Sequence, residues 1–161
     1  MSDYVSFFLN AGGGVTQLEC IEISHPSFSK VYRYVKNDTQ GITAANQNYD
    51  YKPMSIKRNN VTNDLDQTLS ITLADMDDEL MDEVKKIHSS AFRKIKPECS
   101  FKIYRDDDLS EPMISMPSLE IPSVSKDTSG LATFDAQAPQ LNSVRTGRIY
   151  TIEEFPLLRR A

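Results

Sequence analysis

Tryptophan is missing from this chain, histidine and cysteine occur twice each, and no apolar run approaches the ~20 residues that a membrane helix needs. The missing tryptophan removes one common interface anchor and excludes nothing else. The scarcity of histidine and cysteine excludes more. A zinc site would have to combine His25 and His88 with Cys20 and Cys99, and their spacing fits none of the usual close ligand pairs. Both cysteines sit in strand-like apolar alternations, so they are expected to be reduced, buried, small hydrophobes rather than a disulfide. A cysteine hydrolase would need one of them exposed beside a histidine base. No nucleophile-elbow motif occurs, and the neighbours Glu153 and Glu154 read better as a helix cap than as an acid–base pair. The chain is therefore expected not to be an enzyme, with no catalytic, cofactor-binding or metal-binding residues and no cofactor.

Positive charge is also in short supply. Eighteen Lys and Arg face 23 Asp and Glu, for a net charge of -5. That balance argues against specific nucleic-acid binding by phosphate neutralisation and against an anionic lipid surface as partner. The start, Met1-Ser2-Asp3-Tyr4, lacks the positive region and apolar core of a signal peptide, so synthesis in a cytoplasm is expected, and membrane insertion is not. Of the 6 glycines three are consecutive, Gly12-Gly13-Gly14. A phosphate-cradling loop has a strand before its glycines and a helix after them. Here the order is reversed, and the triplet reads as a joint.

What is present is a globular, fairly polar chain of 161 residues, 39% hydrophobic and 25% charged, long enough for one domain with a real core. Its clearest stretch runs from Asp66 to Phe92. Asp66 to Leu73 alternates apolar and small polar residues, as a half-buried strand does. Leu80, Val84, Ile87 and Ala91 then recur at helical spacing, after an acidic turn in which Asp75 or Asp77 can cap the helix. The same acidic residues lack the central glycine and distal glutamate of a calcium loop. The helix is expected to run until Lys96-Pro97 stops it.

Strands are expected over Val15–Ser24, Lys30–Val35, Tyr49–Lys57, Cys99–Tyr104 and Leu131–Ala138. In the first, the apolar parity slips at Cys20-Ile21, which implies a bulge or burial on both faces. It forms a hairpin with the second. Ala44 to Asn48 reads as a polar loop. Pro53 makes the next strand an edge, or delays its start until after the proline. Arg105-Asp106-Asp107-Asp108 is a charged turn, and Pro112 to Val124 one bent or bulged strand. His25, before Pro26, is expected to make a local hydrogen bond. Short helices are expected near Asp3–Asn10 and, for about one turn before Pro156, after Thr151. The fold class is mainly β with one packed helix (α+β), an antiparallel sandwich or distorted barrel.

Two motifs extend this reading: Leu18-Glu19-Cys20-Ile21-Glu22-Ile23-Ser24-His25-Pro26, and Gly147-Arg148-Ile149-Tyr150-Thr151-Ile152-Glu153-Glu154-Phe155-Pro156-Leu157. In order and spacing, with the central strand and helix between them, they resemble a family of small, functionally uncharacterised tail proteins of tailed bacteriophages. The resemblance covers about Leu18 to Leu158. It implies a hub-like domain at the tail tip or baseplate: a structural virion component forming a ring, trimeric or hexameric, around the tail channel. Such a ring would sit between tube or distal-tail proteins and the fibre or spike, and its acidic surface could line the DNA channel without holding DNA. The expected organisation is an N-terminal arm and glycine joint (1–14), a β-rich domain (15–146) and a C-terminal arm (147–161). Tyr4, Phe7, Phe8, Tyr150, Phe155, Leu157 and Leu158 are the candidate partner-binding residues. The alternative is a small adaptor or tail-assembly chaperone not retained in the virion.

Overall fold

The computed structural model describes residues 14–58 and 68–138. Eleven strands and one helix follow in order: β1 (Gln17–Ser24), β2 (Tyr32–Val35), β3 (Ile42–Ala44), β4 (Gln47–Tyr51), β5 (Met54–Arg58), β6 (Thr68–Ala74), α1 (Glu79–Ser89), β7 (Glu98–Arg105), β8 (Ile114–Ser115), β9 (Leu119–Glu120), β10 (Val124–Lys126) and β11 (Leu131–Gln137). They hydrogen-bond in the order β3-β4-β2-β1-β7-β9-β11-β6-β5, with β8 added on β7 and β10 on β11. Every pairing is antiparallel except β2 with β4, so the sheet is mixed. It does not close: β3 and β5 end the path, and of the two expected forms the sandwich holds and the barrel does not.

Alternation explains how this sheet makes one main core. Successive side chains of a strand point to opposite faces. Ile21 and Ile23 of β1, Tyr32 and Tyr34 of β2 and Cys99, Phe101 and Ile103 of β7 share a face by register. Leu69, Ile71 and Leu73 of β6 share a face with Phe134 and Ala136 of β11. All belong to a single buried cluster, to which α1 adds Leu80. The sheet therefore folds over on itself, and among the described strands the two-residue β9 alone pairs across its halves, Glu120 with Glu98 on one side and with Gln137 on the other. Each large apolar side chain so enclosed contributes about 1.5–3 kcal/mol.

The parity slip in β1 is two-sided burial, not a bulge. Leu18 and Cys20 point away from the main core into a second one with Val35, Ala44, Tyr49 and Tyr104. The hairpin β3–β4 covers that face. Residues 44–48, read from sequence as a polar loop, are instead the tip and inner turns of this hairpin: Ala45 and Asn46 both take positive φ (49° and 60°), the pair of left-handed residues that a tight two-residue turn requires. Gly41 admits the hairpin, because at its φ of 73° a Cβ would meet the Tyr49 carbonyl at 2.7 Å.

Three further expectations change. Lys52-Pro53 divides the Tyr49–Lys57 stretch into β4 and β5, which pair in opposite halves of the sheet; β5 does begin after the proline and lies at an edge. The stretch Pro112–Val124 is not one bent strand but β8, β9 and the start of β10: β8 pairs with β7, β9 with both β7 and β11, and β10 with β11. The helix stops at Ser89, well before Pro97, because Ser90 turns extended and both its N–H and its Oγ donate to the Ile87 carbonyl, at 3.1 and 2.9 Å. Ala91 is consequently exposed and outside the helix.

At the other end of α1, Asp78 occupies the N-cap in a left-handed conformation and makes no side-chain cap. Asp75 does that work from three residues upstream. Its buried carboxylate accepts from the backbone N–H groups of Leu80 and Met81, each at 3.2 Å, while Lys126 reaches both its carbonyl and Asp78. A helix N-terminus thus accounts for the acidic cluster.

Among the described residues, the Tyr34 hydroxyl, on a side chain 2% exposed, is the one buried side-chain group with no hydrogen-bond partner. An unsatisfied buried hydroxyl costs about 1–3 kcal/mol. Tyr34→Phe is therefore expected to leave stability unchanged or raise it by about 1 kcal/mol in chemical denaturation, and a clear loss would refute this account of the site.

Candidate functional site

The residues that sequence reading singles out for partner contact, Tyr4, Phe7, Phe8, Tyr150, Phe155, Leu157 and Leu158, lie outside the described residues, as do both short terminal helices. Within the described domain, three arrangements of polar and apolar groups have functional potential.

The first is a charged cluster between the sheet and the β3–β4 hairpin. Alternation places Glu22 on the second-core face of β1, opposite Arg33 of β2. Its Oε1 accepts from the Tyr49 hydroxyl and from Lys102 Nζ at 2.9 Å, with Arg33 Nε at 3.6 Å. Arg33 Nε in turn donates to Gln47 Oε1 at 2.8 Å, which ties the hairpin to β2. Burial opposes ionisation of Glu22, but the hydrogen bonds from Tyr49 and Lys102 and the charges of Lys102 and Arg33 outweigh it and hold the carboxyl below its ordinary 4.5. Burial, then the bond to Glu22, push the Tyr49 phenol far up. Every strong donor and acceptor here is already matched, so the cluster suits holding the hairpin rather than turning over a substrate.

The second arrangement locks α1 to the β1–β2 loop. Glu83, buried on the helix, accepts from Ser29 N–H at 3.1 Å and Ser29 Oγ at 3.0 Å, and pairs with Lys86 at 2.6 Å. His25 Nδ1 accepts from Ser27 N–H at 3.1 Å, so its proton sits on Nε2 and is donated to the Ile95 carbonyl at 3.1 Å. The expected local bond of His25 is present, with a long-range one beyond it. Neither sulfur joins this chemistry. Cys20 and Cys99 are both fully buried and free, and burial pushes each thiol up to about 12. A thiolate nucleophile is therefore out of reach in the folded domain. Among the described residues, no three metal-ligating side chains cluster.

The third is a cleft of about 250 Å³ beside the C-terminal half of α1. Val84, Ile95, Pro97 and Pro122 supply apolar walls, and Arg93 and Lys96 stand at it. Phe92 and Ile95 leave 46% of their surfaces in solvent. Sequence reading passed over this surface because it carried the helix on to Lys96. The alternation Phe92-Arg93-Lys94-Ile95-Lys96 was the available signal. A second, more polar cleft of about 230 Å³ opens where β2 and β4 diverge, between Val31 and Asn48.

Two measurements check this geometry. Glu22, held low, stabilises the fold fully above pH 4.5 and loses that contribution as pH falls through its lowered value. Glu22→Gln should thus cost about 1–3 kcal/mol at neutral pH and converge on the parent in acid, read from denaturation curves across pH. Both thiols should resist an aromatic disulfide reagent in the native protein and react together once it unfolds; a fast-reacting thiol in the folded state would contradict the burial of Cys20 and Cys99.

Comparison with known proteins sets this domain among relatives. No curated protein matches the chain in sequence. A solved structure described as the virion of a native gene transfer agent particle contains a similar chain, with a TM-score of 0.56 at 12% identity. The likeness covers 90% of this chain and 48% of that one, so the present fold corresponds to about half of its structural counterpart. Among the described residues, no helix is long and apolar enough to cross a membrane. Residues 6–138 match the family described as a domain of unknown function, DUF1833, and the chain belongs to that family.

Proposed function

We propose that this chain is a structural component of a phage-like virion, placed at the tail tip or baseplate as part of a ring around the tail channel. The observation that carries the reading is the shared fold with a chain of a gene transfer agent virion over 90% of the present sequence. The order and spacing of the Leu18–Pro26 and Gly147–Leu157 motifs support it independently. So does the chemistry of the domain: its thiols are buried, its half-buried Glu22 is held by Tyr49 and Lys102, and its polar networks clamp one element to another.

In this reading the β-rich domain is the ring body, three or six copies enclosing the channel. Residues 1–14 and 147–161 act as arms, with Phe7-Phe8 and Phe155-Leu157-Leu158 as the apolar tips that reach tube, distal-tail or fibre proteins. An acidic wall would pass DNA without retaining it. The chain is made in the bacterial host cytoplasm and ends in the particle.

Mass spectrometry of purified particles, with light scattering on the isolated protein, tests this. The chain is expected in particles at a copy number that is a multiple of three. Its absence from particles, with presence in lysates during assembly, would instead identify a tail-assembly chaperone or adaptor.

A further inference from the structure

The cleft beside α1 has features that the structural role above does not use. It is largely apolar, it lies on the surface, and Arg93 and Lys96 line it. Lys96 is paired with Glu120 at 2.6 Å, but Arg93 and Lys94 have no ion-pair partner among the described residues. Arg93 lines the cleft and Lys94 follows it in sequence; in a chain of net charge -5, cations beside an apolar seat favour an occupant that is itself acidic and apolar.

Topology narrows the choice of occupant. The described residues end one past β11, whose Gln137 is registered opposite Glu120, next in sequence to the cleft residues Ile121 and Pro122. Val124, also in the cleft, is registered opposite Phe134 of the same strand. The chain therefore leaves the described fold paired, at a strand spacing of about 5 Å, with Glu120, which directly precedes the cleft residue Ile121. Residues 139–152 follow, and an extended chain covers about 3.3 Å per residue, so a reach on the order of 45 Å is available. Next comes Glu153-Glu154-Phe155-Pro156-Leu157-Leu158, two acids followed by four apolar residues.

We infer that the cleft lined by Val84, Ile95, Pro97 and Pro122 is the docking site for this chain's own C-terminal segment, Glu153–Leu158. Phe155 and Leu157 fill the apolar seat, and Glu153 and Glu154 face Arg93 and Lys94. Tethering makes the contact intramolecular, so modest contacts suffice. The inference concerns the isolated chain and stands or falls apart from the virion reading. If both hold, the C-terminal arm is parked on its own domain until a partner displaces it.

The absence of tryptophan makes the test direct. Phe155→Trp in the full-length chain gives a single indole, whose emission and acrylamide quenching report its surroundings. The expected result is blue-shifted emission and protection from quenching, unchanged on dilution. Ile95→Glu, or the pair Arg93→Glu and Lys94→Glu, should each red-shift the emission and raise quenching to the level in urea, with the far-ultraviolet spectrum unaltered. Adding Glu153→Lys and Glu154→Lys to the charge-reversed pair should restore protection. An indole as accessible as in urea from the outset overturns the inference. So does protection that survives Ile95→Glu, which seats the segment elsewhere, or protection lost on dilution, which makes a second copy the occupant.

Discussion

The structure depends on burying β1 and β7 from both sides. Adjacent central strands with one wet face would have left Leu18, Cys20 and Tyr104 exposed. Instead the opposite face carries a second core, and the β3–β4 hairpin exists to cover it. That demand propagates. The hairpin needs the tight turn at Ala45-Asn46 and the close approach at Gly41. It also traps Glu22, which alternation leaves no choice but to face the second layer, and a carboxylate in that position must be matched. Tyr49 from the hairpin, Lys102 from β7 and Arg33 from β2 match it. A single polar residue in a two-sided strand thus specifies contacts from three directions, and such a network is unforgiving of partial loss.

Much of this is written locally. β6 and β11 alternate so cleanly that their buried faces, Leu69-Ile71-Leu73 and Ala132-Phe134-Ala136, are those expected from the residues alone. The strand–turn–helix unit reads equally well, and of the two aspartates able to cap it, the structure selects Asp75. What could not be read was non-local. Nothing near Ala45 announces that a left-handed pair is tolerated there, since the driving contact is with Tyr104 and Leu18, far off in sequence. The end of α1 was missed because Ala91 continues the apolar spacing while the Ser90 hydroxyl interrupts the backbone pattern. The division of 112–124 into three short strands follows from partners on β7 and β11, not from any feature within the stretch. For the cleft, the cations and exposed apolar residues were visible, but their convergence with Pro122 and Val124 needed the fold. The terminal partner-binding residues were chosen for aromatic and apolar character alone.

The same division separates what the fold does from what it offers to others. The interior is committed: its acids, its histidine His25 and its serines at 27, 29 and 90 each hold one segment against another. The surface around α1 is not. Met76, 78% exposed, sits over Gly130 before the start of α1, and Phe92 and Ile95, each 46% exposed, follow its end. The domain thus keeps its hydrogen-bonded networks inside and leaves exposed apolar side chains at both ends of its helix.

The narrow link between the sheet's halves has a mechanical consequence. β1 and β7 are joined by eight registered residue pairs, so a pull along their length would load that ladder in shear, all bonds at once. Among the described strands the halves share backbone hydrogen bonds through β9, with two residue pairs to β7 and one to β11, and otherwise meet by side-chain packing in the main core. Tension that draws the halves apart would open those bonds in sequence, like a zip. Along β1 and β7 the ladder resists as one unit, while across the halves resistance comes chiefly from apolar packing in the shared core, so the domain's orientation in a load-bearing assembly decides which kind of contact carries the load.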